Sequence, residues 1–442
     1  CRMETVLVIG AARSGIAVSK LLLKNGYHVV LTDSNKVNEK SELESLGIEV
    51  FDGGHPDCLK DKEYAFIVKN PGIPYRVPFV HYFVEQNAKI YTEIEVAYRF
   101  AKNFNYAAVT GTDGKTTVTT LLYEMLNRQK KSLVAGNIGT PLCELVLEHT
   151  DADYNVALEL SNFQLLGIET FRPHVSTVTN LAPDHLDYMD SLEAYYESKM
   201  RIYENTNADD YFIRNVDDEN VVKYAQNIPC QVIDFSLKRK DVDLYKDDKY
   251  AYYKDTQLFA LSDLKIVGEF NCGNAMMASC MAYLMGVSLF NIQEVIREFS
   301  GVEHRIEYVD TIDNVRFYND SKATNTHAAC AGLSAFEKNV ILLCGGKDKH
   351  ISFDDLKQYD AVVKKCISFG QTKDKFKDIF TNQISVETMK DAFEKAVLSA
   401  KPGDVVLLCP ACSSFDQFKN YEIRGEIFKQ MVHDYASKRN EE

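Results

Sequence analysis

One short segment limits what this chain can fold into more than any other. Gly111-Thr112-Asp113-Gly114-Lys115-Thr116-Thr117 directly follows an apolar, strand-like run, Tyr106–Thr110. A strand, a glycine-rich turn and the first turn of a helix aim backbone N–H groups at a phosphate, and a lysine there adds positive charge. Thr116 stands where phosphate-binding loops offer a hydroxyl to Mg²⁺. The match to the full loop pattern is incomplete, since Val109 occupies the place of its first glycine. The bland alternative is an ordinary strand–helix turn.

That segment predicts an α/β fold, and the rest of the chain agrees. Val6–Ile9, His28–Leu31 and Ala65–Val68 read as strands, with Ser14–Lys24 as a helix between the first two. Further strands are expected at Val156–Leu158, Ser176–Thr179, Val315–Tyr318, Val340–Leu343, Cys366–Ser368 and Val405–Leu408. The polar, tyrosine-rich stretch Asp209–Lys265 reads as irregular strands or insertions. A chain of 442 residues exceeds one core. The expected division is three α/β domains at 1–95, 96–300 and 301–442.

Composition excludes several classes. The net charge of −14 opposes phosphodiester backbones, so no nucleic-acid partner is expected. No run approaches the roughly 20 apolar residues that span a bilayer. The first residues lead into a strand without a signal-peptide pattern, so the expectation is a cytoplasmic protein with no membrane partner; a monomer is expected. Eleven cysteines lie mostly in apolar segments, which suits buried thiols better than a disulfide framework. Cys409-Pro410-Ala411-Cys412 lacks a second pair of metal ligands at zinc spacing.

Other groups gather at expected strand ends. Glu159-Leu160-Ser161 and Asn180-Leu181-Ala182-Pro183-Asp184-His185 follow two strands of the middle region. Parallel strands deliver such side chains to one sheet edge, where a carboxylate and an imidazole beside a phosphate loop suit Mg²⁺. Each alone is more often a capping or surface residue. Gly10-Ala11-Ala12-Arg13-Ser14-Gly15, with Asp33 about twenty residues on, resembles a dinucleotide fingerprint whose middle glycine is Ala12. A nicotinamide-dependent oxidoreductase therefore stays open, as does an ATPase acting as a regulatory module. In the last third, His304-Arg305, Asn319–Asn325, Gly345–Lys349 and Ser413–Asp416 bring cations and hydroxyls to strand ends, which suits a carboxylate substrate.

Together these segments resemble the Mur ligase family, in the same order from end to end. GTDGKTT is similar to its ATP loop, ELSNFQL and NLAPDHLD to its metal-binding segments, and HRIE and NDSKATN to its third-domain entry. NDSKATN and PACSSFDQFKNYEIRG (Pro410–Gly425) resemble the members that add D-glutamate. The resemblance implies an N-terminal Rossmann-like domain binding UDP, a central P-loop ATPase-like domain and a C-terminal Rossmann-like domain. It implies ATP and Mg²⁺, with UDP-N-acetylmuramoyl-L-alanine and D-glutamate as substrates in peptidoglycan precursor synthesis. By the same resemblance, Asp33, Ser34, Asn70, Gly72 and Asn137 contact the UDP substrate. Gly111–Thr117, Asn274, Arg305 and Asp320 contact ATP. Thr116, Glu159, His185 and Lys199 hold the metal, Lys199 as a carbamate. Thr324, Lys349, Ser414, Phe415 and Tyr421 bind D-glutamate, and Lys115, His185 and Lys199 serve catalysis. The chain departs from the family pattern at Asp113, Asn162, Met189 and Phe270, and its Lys347-Asp348-Lys349 run leaves open which lysine contacts D-glutamate.

Overall fold

Strands that are apolar on both faces need helices on both sides, and this chain supplies three sheets of that kind. The computed structural model describes residues 2–183 and 189–441. They form two compact units, one of Cys1–Leu261 with Asn274–Val295, the other of Ser262–Gly273 with Ile296–Glu442.

The first unit holds two sheets. In the first, β1 (Thr5–Ile9), β2 (His28–Thr32), β3 (Glu49–Phe51), β4 (Phe66–Lys69) and β5 (Ile90–Tyr91) run in the order β3-β2-β1-β4-β5, all parallel. The order reverses between β1 and β4, so a crevice opens beyond their carboxyl ends. The turn after β1 is drawn tight there. A methyl group on Gly15 would lie 1.9 Å from the Gly10 carbonyl oxygen, so the last glycine of the fingerprint lets helix Arg13–Lys24 press against the strand end.

The second sheet comprises β6 (Phe104–Thr110), β7 (Leu133–Gly136), β8 (Tyr154–Glu159), β9 (Val175–Val178), β10 (Tyr211–Asn215), β11 (Gln231–Phe235), β12 (Leu244–Lys246), β13 (Tyr250–Tyr253) and β14 (Thr256–Ala260). Its order is β14-β13-β12-β11-β10-β9-β6-β8-β7. The stretch expected to be irregular therefore forms five regular strands. Its tyrosines serve cross-strand packing: Tyr245 lies opposite Tyr252 on an antiparallel pair, their rings stacked with centroids 5.2 Å apart.

In the second unit, β15 (Glu307–Ile312), β16 (Val315–Asn319), β17 (Val340–Gly345), β18 (Val363–Phe369), β19 (Gln383–Ser385) and β20 (Val405–Leu408) are ordered β15-β16-β20-β17-β18-β19. Only the β15–β16 pair is antiparallel. Among the described residues no helix is long and apolar enough to cross a membrane.

A buried carboxylate fastens the helix Glu93–Phe100 to the loop before β9. Glu95 is fully buried and accepts hydrogen bonds from the N–H groups of Glu169, Thr170 and Phe171, from the Thr170 hydroxyl, and from Arg99 Nε at 2.7 Å. Burial acts to raise its pKa, but these donors outweigh it and hold the carboxyl below the ordinary glutamate range. A folded-state value below the unfolded one stabilises the protein at neutral pH, and the gain is lost as pH falls through that lower value. Replacing Glu95 by Ala leaves several buried donors unpaired. Chemical denaturation at pH 7 is expected to show a loss of about 3 kcal/mol or more, with the difference from the parent shrinking below the glutamate range. A loss that is small at pH 7 contradicts this assignment.

Candidate functional site

The buried strand β6 ends at a loop that only glycine can begin. Gly111 has φ +138°, and a methyl group there would lie 1.9 Å from Thr179 Oγ1 and 2.9 Å from its backbone nitrogen. The end of β9 then holds the loop. Thr112 N–H donates to the Asn180 carbonyl (3.0 Å) and Asp113 N–H to Asn180 Oδ1 (2.9 Å). The Thr179 hydroxyl donates to the Asp113 carbonyl at 2.6 Å. Thr112 Oγ1 donates to the Ala182 carbonyl and lies 3.4 Å from the Tyr195 hydroxyl. The helix that follows, Lys115–Gln129, starts at Gly114 with no side-chain cap. Its first N–H groups therefore suit an anion such as a phosphate.

Six of the expected residues gather at this loop or its sheet edge. Lys115 Nζ donates to the Gly111 carbonyl at 2.9 Å, and Lys199 Nζ donates to the same oxygen at 2.7 Å. Lys199 lies near the end of the helix Leu192–Met200 and is only 1% exposed, so it is no solvated surface lysine. Thr116 Oγ1 donates to Glu159 Oε2 at 3.2 Å, and that carboxylate is buried at the end of β8. Both groups are hard oxygen donors of the type Mg²⁺ prefers. Asn274 Oδ1 would lie 2.7 Å from a methyl group on Gly114, so its amide sits against the loop. Asn137 N–H donates to the Glu159 carbonyl at 2.7 Å, which brings the Gly136 turn to the same edge. His185 lies outside the described residues. Thr179 and Tyr195 were absent from the sequence expectation; a hydroxyl bonded to loop backbone has no motif to reveal it.

Of the residues expected to contact UDP, Asp33, Ser34, Asn70 and Gly72 lie on the turns after β2 and β4 of the first sheet, whereas Asn137 belongs to the second. Asp33 Oδ2 accepts from Ala11 N–H at 2.7 Å and Oδ1 from Asn35 N–H at 2.8 Å, which fixes the turn beside the exposed Ser34. Asn70 Oδ1 accepts from Gly72 N–H at 2.9 Å, and Asn70 Cβ would meet a methyl group on Gly10 at 2.8 Å. A cavity of about 740 Å³ lies on the Asp33 side, lined by Ala11–Arg13, Asp33, Asn35 and Lys36 among others.

In the second unit a buried cation organises the strand ends. Arg424 is fully buried. Its Nε donates to Ser321 Oγ (3.0 Å), Nη2 to the Ser321 carbonyl (2.7 Å) and Nη1 to the Cys412 carbonyl (3.0 Å). Burial lowers its pKa to about 10. The Ser321 hydroxyl in turn donates to the Tyr421 carbonyl at 2.7 Å, and Lys347 N–H donates to the Ser413 carbonyl at 3.0 Å. Arg424 thus ties together the segments carrying Thr324, Ser414 and Tyr421, although sequence reading did not single it out. Among the described residues the buried Ser413 and Ser414 hydroxyls have no hydrogen-bond partner, whereas Phe415 and Lys349 are exposed.

Asp320 is buried, and Arg305 is presented beside it. Asp320 Oδ1 accepts from Ile306 N–H at 3.2 Å and Oδ2 from the Cys409 thiol at 3.5 Å. Burial pushes its pKa up to about 7, against the pull of those bonds and of the Arg305 charge. Arg305 itself is exposed, between His304 and Ile306, which both adopt left-handed φ values of 66° and 44°. Such values store strain, most of all in β-branched Ile306, whose N–H donates to Asp320, while the Asn319 amide holds the His304 ring. The two thiols of the CxxC segment serve separate partners. Cys409 faces Asp320, Cys412 contacts the Thr372 hydroxyl, and burial raises both thiol pKa values.

Residues 109–282 match the Mur ligase middle domain, and residues 304–412 match the Mur ligase glutamate ligase domain. A protein of Geobacillus sp. (strain WCH70), named UDP-N-acetylmuramoylalanine--D-glutamate ligase, is 44% identical over 444 residues, covering 98% of each chain. The chain belongs to the Mur ligase family. A Bacillus cereus (strain G9842) protein of the same name is 40% identical, covering 97% of each chain. Solved Mur ligases share the fold at low identity. The MurF ligase of Thermotoga maritima in complex with ADP superposes with a TM-score of 0.57 at 16% identity, covering 93% of this chain and 96% of that one. The UDP-N-acetylmuramate-alanine ligase MurC of Thermotoga maritima gives 0.55 at 19%, covering 98% and 100%.

Proposed function

We propose that this Mur ligase joins UDP-N-acetylmuramoyl-L-alanine to D-glutamate with cleavage of ATP to ADP and phosphate, in peptidoglycan precursor synthesis. The observation that carries the reading is the 44% identity over nearly the whole of both chains to a protein with that name. In this reading residues 1–95 form a Rossmann-like domain for the UDP substrate. Residues 96–300 form a P-loop ATPase-like domain, and residues 301–442 form a Rossmann-like domain for the amino acid.

The chemistry follows from the poor reactivity of a carboxylate toward amines at neutral pH. An oxygen of the L-alanine carboxylate attacks the γ-phosphorus of ATP and ADP leaves, giving an acyl phosphate. The amine of D-glutamate attacks the acyl carbon, loses a proton, and phosphate departs. No enzyme nucleophile is needed, so positioning and charge stabilisation carry the rate. The Lys115 ammonium faces the charge that builds on the transferring phosphoryl group. Mg²⁺, held by Thr116, Glu159, His185 and Lys199, supplies charge neutralisation of the phosphates when bound. On the acceptor side, the buried Ser413 and Ser414 hydroxyls, which have no partner among the described residues, support a carboxylate site with Thr324 and Tyr421.

Two ammonium groups on one carbonyl oxygen support the carbamate reading of Lys199. They place the Lys199 amine beside the Thr116–Glu159 oxygens rather than at the surface. Addition of the neutral amine to CO₂, with loss of a proton, turns a cation into an anionic oxygen ligand. Lys199→Ala is expected to lose activity about a hundredfold or more and to recover part of it when acetate is added. A fully active Lys199→Ala enzyme contradicts the carbamate.

Acceptor choice tests the proposed function itself. Polar groups built for one stereoisomer reject the other, because the mismatch leaves buried partners unpaired. In a competition assay with UDP-N-acetylmuramoyl-L-alanine, D-glutamate is expected to outcompete L-glutamate, L-lysine and D-alanyl-D-alanine. Preference for any of those three refutes the acceptor assignment.

A further inference from the structure

Arg305 stands on a turn that a chain does not adopt unaided. Its neighbours His304 and Ile306 both take left-handed φ values, which side chains other than glycine rarely accept. Such a turn persists only where its surroundings over-determine it. Asp320 holds the Ile306 side. The His304 side is held by a different set of groups.

His304 is fixed through its backbone and its ring. Its N–H donates to Glu307 Oε1 at 3.1 Å, and its carbonyl accepts from Lys322 N–H at 3.0 Å. Asn319 Oδ1 accepts from Ser321 N–H, which turns the Asn319 amide nitrogen toward the turn. That nitrogen donates to His304 Nδ1 at 2.9 Å and to Glu307 Oε1 at 3.1 Å. The buried His304 ring lies against Gly425, where a methyl group would come within 2.2 Å of Nδ1. Any other residue there displaces the ring.

Glu307 joins the turn to the rest of the unit. One of its oxygens accepts from the turn and from Asn319 at the end of β16, and the other accepts from Lys429 at 3.2 Å. Gly425 and Lys429 are one turn apart on the helix Tyr421–Glu441. A single face of that helix therefore receives the ring and anchors the carboxylate. Neither residue offers a free group to a substrate, since glycine has none and both Glu307 oxygens are already bonded.

We propose that Glu307 and Gly425 are positioning residues for the ATP step of ligation, acting through Arg305. The inference rests on the ATP contact assigned to Arg305 above. Without either residue the backbone around Arg305 relaxes, and the guanidinium is no longer held in one place for a phosphate.

The test is steady-state kinetics of the full chain with ATP varied, carried out as a double-mutant cycle. Glu307→Gln and Gly425→Ala are each expected to lower kcat/KM for ATP by about tenfold to a hundredfold, with the KM for UDP-N-acetylmuramoyl-L-alanine unchanged. Added to Arg305→Ala, the same changes are expected to cost less than about twofold more. Glu307→Gln is nearly isosteric, so it reports even where Gly425→Ala impairs folding. Parental kcat/KM for ATP in Glu307→Gln overturns the proposal. So does a loss as large in the Arg305→Ala background as in the parent, which makes the effect independent of Arg305. An Arg305→Ala enzyme with parental kcat/KM instead refutes the ATP contact itself, and the inference falls with it.

Discussion

Two lysine ammonium groups, Lys115 and Lys199, donate to a single carbonyl oxygen, that of Gly111. Much of the first unit is arranged so that this oxygen can be where it is. A residue with a side chain cannot take the Gly111 position, because Thr179 fills the space. Thr179 is there because β9 lies beside β6 in register, with Thr110 opposite Val178. On the other flank β8 delivers the buried Glu159 to Thr116. The helix bearing Lys199 is held in turn by Arg201, just beyond its end, which donates to the carbonyls of Leu166 and Ile168. That loop is itself fastened to Thr92 through the Gly167 carbonyl. Charge, strand register and loop strain all meet at one backbone atom.

The second unit solves a related problem with the opposite means. Its strand ends are organised by a buried cation surrounded by neutral oxygens. An isolated guanidinium in an apolar medium is costly, and three hydrogen bonds to Ser321 and Cys412 offset part of that cost. Beside the Cys412 carbonyl that Arg424 holds, the buried Ser413 and Ser414 hydroxyls have no hydrogen-bond partner among the described residues. Asp320 shows the same theme in reverse: a buried acid whose oxygens hold the Ile306 backbone and face the Cys409 thiol.

Strands with simple apolar runs were legible in the sequence, Val405–Leu408 to the residue and most others to within one to three. Period and β-branching suffice where a strand is buried on both faces. They fail over Asp209–Lys265, because these strands are short and only partly buried, so apolar residues alternate with polar ones instead of forming a run. The strand–turn–helix at Gly111 was legible because local geometry dictates its residues. Arg424, Thr179 and Tyr195 were not, because they act through contacts across 103, 66 and 83 residues. Lys199 illustrates the boundary: its spacing alone reads as a surface lysine, and only tertiary packing buries it against the loop.

The whole account rests on the loop at Gly111 serving ligation rather than ATP turnover alone or nicotinamide chemistry. The most direct test is phosphate release from ATP with UDP-N-acetylmuramoyl-L-alanine present, measured with and without D-glutamate. Release that depends on both compounds and matches the appearance of a UDP-linked dipeptide is the predicted result. Release that is indifferent to D-glutamate, with no dipeptide formed, would contradict it.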